Sequence, residues 1–254
     1  MLWYKSWLET RWRFVIGFVL LMLSAFGTVV SYPRVMELMP MATSMQTGGG
    51  ELGRRIREGV ELARSYRGYV WSQAFAQNLP QMATLFAVLL GSGSVLASGR
   101  SALFMLSLPA SRNRVLGIRA ATGLAELFAL AIGPALFISL LSPAVGEHYR
   151  FVDAVVHGLC MFVAAAVFYS LALLLSTVFS DLWRPLLLTC AVAVVISVCG
   201  LVFRGLARYG IFGVMSGDSY FRGGAVPWVG LLASAIASIA MLYGAAANIA
   251  RRDF

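Results

Sequence analysis

The chain has 254 residues, 59% of them hydrophobic and only 12% charged, with a mean hydropathy of +0.80. Soluble domains carry roughly a quarter charged residues, so this composition excludes an ordinary globular protein and implies a chain that lives in lipid. The formal charge of +9 rests on arginine, with Lys5 the single lysine; Lys5-Ser6 follows no glycine-rich turn, which excludes an ATP-binding phosphate loop, and no soluble region remains to present a nucleic-acid-binding face.

In chain order, "MLWYKSWLETRWRF" places Trp3, Trp7 and Leu8 at helical spacing among Lys5, Glu9 and Arg11. Tryptophan and basic residues at that period predict a helix over 1–13 lying in the headgroup plane. A first span follows at 14–32. The segment 33–77 opens with the turn-rich "MATSMQTGGG" and continues as an amphipathic helix, with Leu52, Ile56, Val60, Ala63 and Val70 on one face. Further spans are predicted at 79–98, 115–141, 152–179, 186–203 and 226–249, six in all, each an apolar run long enough for a ~30 Å hydrocarbon core. The expected fold is therefore all-α and polytopic, one transmembrane domain over 1–254. No internal repeat is visible, and the first apolar run lacks the features of a cleavable signal peptide. Cys160, Cys190 and Cys199 all fall in apolar runs and read as small buried residues, not as a disulfide framework or a zinc site.

With both ends of the chain on one side, the basic residues divide 10 against 10. The rule that positive charge stays inside speaks through charges near span ends. Setting aside the arginines of 33–77, which lie mostly in a distant helix balanced by glutamates, leaves 10 against 4 and places both ends in the cytoplasm of a cell membrane.

The connector "SLPASRNRVLG", 107–117, then lies on the cytoplasmic side. Together with the residues before it, it carries Gly99, the apolar run Leu103 to Leu106, then Leu108, Pro109, Ser111, Arg112 and Gly117. This pattern, Gly then Leu-Pro-x-Ser-Arg then Gly, resembles the second-to-third span connection of ABC-2 type transporter permeases. The closing "AAANIARRDF" resembles that family's last span running into a basic tail. One departure stands out: "SVLAS" before Gly99 lacks the glutamate that family members often carry. The resemblance implies an exporter subunit that works as a pair, beside a second copy or a sister permease. It implies a separate ATPase holding the ATP and Mg, and a connector acting as a coupling helix. In that role Leu106 and Leu108 would fill a cleft of the ATPase, Pro109 would start the helix, Ser111 belongs to the same coupling set, and Arg112 and Arg114 would pair with acids at the rim. The plainer alternative is a basic loop that only sets topology.

Other candidates are few. Glu126 is the one acid well inside a predicted span, a residue for the pathway or its gate, or an interhelical bond. Arg119 lies two turns before it on the same face. Asp153 and His157 are i,i+4 neighbours able to touch at the outer end of their span. His148 stands too far away, with no Cys or carboxylate cluster, to complete a metal site. "GSGS" at 91–94 fails the serine-protease G-x-S spacing at Gly93 and reads as small residues admitting another span. The segment 204–227 is glycine-rich and aromatic; the resemblance implies short helices dipping into the outer leaflet. No cofactor and no catalytic residue is expected in the chain. The competing functions are a secondary transporter, for which only Glu126 and Pro134 speak, and a membrane-embedded enzyme, for which no nucleophile–base or metal set is present.

Overall fold

A computed structural model describes residues 2–44, 59–93, 112–179, 181–202 and 210–251, and every regular element among them is helical. In chain order these are α1 (Leu2–Ser44), α2 (Tyr66–Val70), a π-helical stretch (Trp71–Asn78) and α3 (Leu79–Gly91). There follow α4 (Arg112–Leu141), a 3-10 turn (Ser142–Val145), α5 (Phe151–Val178) and α6 (Trp183–Val202). Two short helices, α7 (Ile211–Ser216) and α8 (Asp218–Phe221), precede α9 (Trp228–Arg251).

Five helices, α1, α4, α5, α6 and α9, are long and apolar enough to cross a membrane. The architecture is that of a multi-pass membrane protein. α5 is the hub: 61% of its most apolar window is buried, and it packs on α3, α4, α6, α7 and α9. α1 lies along α4 and α3. The outer faces are apolar, as lipid requires. Val15, Val19, Leu23 and Phe26 of α1 are exposed, as are Leu187, Val194 and Val198 of α6 and Val229, Leu232, Ile236 and Ile239 of α9.

Two elements differ from the sequence reading. The N-terminal helix does not part from the first span, because α1 is one helix of 43 residues. No glycine or proline stands between Leu2 and Ile16 to turn it. The amphipathic helix of 33–77 is likewise not one piece. Residues 59–63 are helical, then Ser65 caps a new start by accepting from Gly68 N–H at 3.1 Å. Its earlier part, including Leu52 and Ile56, lies outside the described residues. The helix expected from residue 79 thereby begins at Tyr66 and passes through the π stretch. The cause of that stretch is Pro80, which has no N–H to return to Ala76 and whose ring crowds that carbonyl in a regular helix. The wider turn relieves the crowding, and Leu79 N–H reaches back five residues to Ala74 O.

The small residues at 91–94 serve as expected where they are described. A Cβ on Gly91 would stand 2.5 Å from Tyr169 O and 2.8 Å from Ala172 Cβ, so α3 and α5 meet backbone to side chain there. The cysteines correct the sequence reading in part. Cys160 is buried, but Cys190 is half-buried and Cys199 is exposed on α6; none is paired.

Candidate functional site

The π stretch and α1 enclose a groove of about 770 Å³. From α1 come Ser24, Gly27, Thr28 and Ser31, one face of a helix. From the other wall come Tyr69, Trp71, Ser72, Gln73, Ala76, Gln77 and Asn78. Its depth follows from the ends of the helices. At one end Arg13 donates to Leu89 O at 2.9 Å, and at the other Tyr32 packs edge-on against Tyr66 with centroids 4.9 Å apart. The helical rise from Arg13 to Tyr32 is roughly 28 Å, about one hydrocarbon core. Asn78 and Gln77 stand near the middle of that distance, as does Ser24, while Thr28 lies nearer the Tyr32 end.

Polar side chains at this depth are costly unless something satisfies them. Thr28 Oγ1 donates to Ser24 O at 3.0 Å and Ser72 Oγ to Tyr69 O at 3.0 Å, so those protons are placed. Gln73, Gln77 and Asn78 are exposed on the groove wall, and their amides have no hydrogen-bond partner among the described residues. Each amide offers two donor hydrogens and an acceptor oxygen. The groove is thus a strip of hydrogen-bonding capacity on the surface of an otherwise apolar bundle, set on a π-helical stretch of the sort that recurs at functional sites.

Beyond the groove, at the Tyr66 end, a polar knot ties α7 and α8 to α2 and α5. Arg67 Nε lies 2.9 Å from Asp153 Oδ2, and Tyr220 O–H donates to Asp153 Oδ1 at 2.8 Å. Trp71 Nε1–H donates to Ser216 O at 3.0 Å, and His157 Nδ1 sits 3.0 Å from the same carbonyl. A carbonyl can only accept, so Nδ1 carries the proton. The His157 ring stacks on Phe75 at 4.7 Å, and Trp71 stacks on Phe221 at 4.2 Å. Gly217 ends α7 at φ +65°, and a Cβ there would come within 2.7 Å of His157 Nδ1, so glycine is required on both counts. The hydrogen bond to Asp153 pushes the Tyr220 phenol above its usual range, helped by burial. Burial, then the Asp153 charge, pushes Tyr149 up as well. Asp153 and His157 share a helix face as expected, yet each serves a different partner across the fold.

Glu126 lies at the Arg13 end. It is buried, and Thr10 O–H of α1 donates to its Oε1 at 2.6 Å. It is not among the groove-lining residues. The bond joins α1 to α4 across 116 positions of sequence. Replacing Thr10 by valine is expected to cost about 1 kcal/mol, and Glu126→Ala about 2 kcal/mol because a void opens too. A double-mutant cycle on thermal unfolding in nanodiscs checks the coupling; strictly additive effects would contradict the bond. Arg119 packs beside Gly93, and Tyr169 O–H donates to Arg119 O at 3.2 Å.

Of the connector, Leu106, Leu108, Pro109 and Ser111 lie outside the described residues. Arg112 begins α4 and Arg114 is exposed in its first turn, so both continue the helix that crosses the bundle. Reasoning on the sequence passed over Gln73, Gln77 and Asn78; their signal was a polar dip in an otherwise apolar run just before a proline. No protein-family model, curated protein or solved structure matches the chain.

Proposed function

We propose that the chain is the transmembrane subunit of an ATP-driven exporter of the ABC-2 permease kind. The observation that carries this reading is the groove: unpaired amides at mid-membrane depth on a face that the chain's own helices leave uncovered. A lone polar residue in a span is commonly interhelical glue, whereas a continuous polar wall calls for water, cargo or a second polar wall. In this reading two copies, or this chain and a sister permease, face their grooves toward each other and enclose a pathway that neither holds alone.

The helical run from Tyr66 to Gly91 is the sixth crossing, beside the five longer helices. It has the length of a span, and it connects the Tyr32 end of α1 to the Arg13 end, where α4 begins. The charge balance supports the Arg13 end as cytoplasmic, with the start of α1 and the end of α9 on that side. The resemblance of Gly99 to Gly117 to a permease connector puts the coupling element there. Leu106, Leu108, Pro109, Ser111, Arg112 and Arg114 contact a separate ATPase that holds the nucleotide and Mg. Closure of that ATPase would push on the start of α4 and, through the Thr10–Glu126 bond at the middle of that helix, on the start of α1. No hydrolysis is assigned to this chain, and its ligand in the bilayer is the exported cargo.

The test is a double variant, Leu108→Asp with Arg112→Asp. It sets negative charge where an apolar and a cationic contact are proposed, a change that costs several kcal/mol at a docked interface and little in a solvated loop. The expected result is a protein that inserts normally but no longer co-purifies with its ATPase, or no longer raises its turnover with cargo. Unaltered assembly and transport would return the connector to a loop that only sets topology.

A further inference from the structure

We infer that the groove selects uncharged cargo bearing hydroxyl or amide groups, and rejects organic cations and anions of the same size. The inference deepens the exporter reading and rests on it, by naming the class of molecule the groove takes. At membrane depth, every polar group on the described groove wall is neutral. Ser24, Thr28, Ser31, Ser72, Gln73, Gln77 and Asn78 contribute hydroxyls and amides, and no Asp, Glu, His, Lys or Arg stands among the described lining residues.

The chemistry of that set is two-sided. The three amides supply donors and acceptors together. Thr28 and Ser72, whose protons are already given to Ser24 O and Tyr69 O, can only accept from a further partner. A sugar-like or amide-bearing group, whose hydroxyls or N–H groups both give and take, satisfies such a wall. A quaternary ammonium cannot, because it has no hydrogen to donate and finds no carboxylate. A sulfate or phosphate finds only neutral donors and no cation to offset its lost hydration. Outside the described lining, Arg13 donates to Leu89 O at one end and Arg67 pairs with Asp153 at the other. Between polar groups the wall is apolar, with Gly27, Val35, Leu62, Ala63 and Ala76. The volume falls in the ~300–1,000 Å³ range of small-molecule sites, room for a sugar-sized head with part of an apolar tail.

The experiment uses the full chain in nanodiscs, with Cys160, Cys190 and Cys199 replaced by alanine and one reporter, Ala76→Cys, in the groove. Ala76 is exposed on the wall, so its thiol is open to a neutral maleimide. Four probes compete with labelling: an alkyl glucoside, an alkyl trimethylammonium and an alkyl sulfate of one chain length, and free glucose. The expected result is saturable protection by the glucoside at a concentration at least about tenfold below either charged amphiphile. Protection by free glucose as well would identify a soluble sugar-like cargo, and protection by the glucoside alone a lipid-borne one; both support the inference. Gln77→Glu, nearly isosteric, should reverse the preference, raising the apparent affinity for the ammonium amphiphile about tenfold and weakening the glucoside. Equal protection by all three amphiphiles, unchanged preference in Gln77→Glu, or a thiol that never labels because a second copy seals the groove would each overturn it. Failure here leaves co-purification with the ATPase untouched, and failure of co-purification leaves the charge preference measurable, so the two readings fail separately.

Discussion

Asp153→Ala is expected to lower the unfolding stability of the protein in nanodiscs by about 2–3 kcal/mol. Asp153 is 4% exposed, and its two oxygens hold Arg67 from α2 and Tyr220 from α8. Removing the carboxylate leaves both partners without an acceptor. Breaking a fully buried pair costs ~3–5 kcal/mol, and the lower figure applies here because Arg67 is half exposed and regains water. Asp153→Asn keeps an acceptor for Tyr220 and should lose about half as much. The loss should be local first, since α7 and α8 are held to α5 by this knot, and proteolysis between Ile211 and Arg222 should rise before the thermal midpoint falls. The pH dependence has a definite sign. The hydrogen bond to Asp153 raises the Tyr220 phenol in the fold above its ordinary value of about 10, so its contribution is complete below pH ~10 and is lost as pH climbs through the raised value. A thermal midpoint unchanged in Asp153→Ala would show that α7 and α8 are held by the Trp71–Phe221 stack and the bonds to Ser216 O without the carboxylate.

Gly91→Leu should prevent the protein from accumulating in the membrane. The obstacle is backbone: a Cβ at 91 already meets Tyr169 O at 2.5 Å, and Ala172 closes the other side. Three further heavy atoms have nowhere to go unless α3 and α5 part, and α5 is the helix on which most of the bundle rests. The cost is about 3 kcal/mol or more. Gly91→Ala is the graded version, with an expected loss of about 1–2 kcal/mol. Gly200→Ala on α6 is the control, because nothing lies within 4 Å of a Cβ there and the helix gains from losing a glycine. Equal behaviour of Gly91→Ala and Gly200→Ala in thermal unfolding would contradict the close packing of α3 on α5.

The long apolar helices α4, α5, α6 and α9 were legible within a few residues, because an apolar run of that length can satisfy its backbone groups in lipid only as a helix. The start of the Tyr66–Gly91 run was not. Gln73, Gln77 and Asn78 depress its hydropathy, and Pro80 reads as a helix start when it is in fact the reason for a π turn. The headgroup-plane helix was drawn from a true pattern of Trp3 and Trp7, but amphipathicity gives the face of a helix and not the angle at which it leaves the next one. Glu126 could be singled out from its cost alone. Its partner Thr10 could not, since a threonine 116 positions away carries no mark of the contact. The same holds for Asp153 and His157: spacing put them on one face, and only the fold shows that one takes Tyr220 and the other Ser216 O.

The unbroken course of α1 has a mechanical consequence. A helix of 43 residues is roughly 64 Å long, about twice the thickness of a hydrocarbon core, and its first proline, Pro33, comes only after Ser31. Its Trp-rich end and the serine–threonine face at Ser24 to Ser31 belong to one stiff body. A tilt of only about five degrees, pivoting near Arg13, sweeps Ser31 sideways by roughly 2 Å. That displacement is enough to make or break hydrogen bonds along the groove wall. A load applied at the start of α1 is therefore delivered to the groove wall as leverage, with no relay of side chains in between.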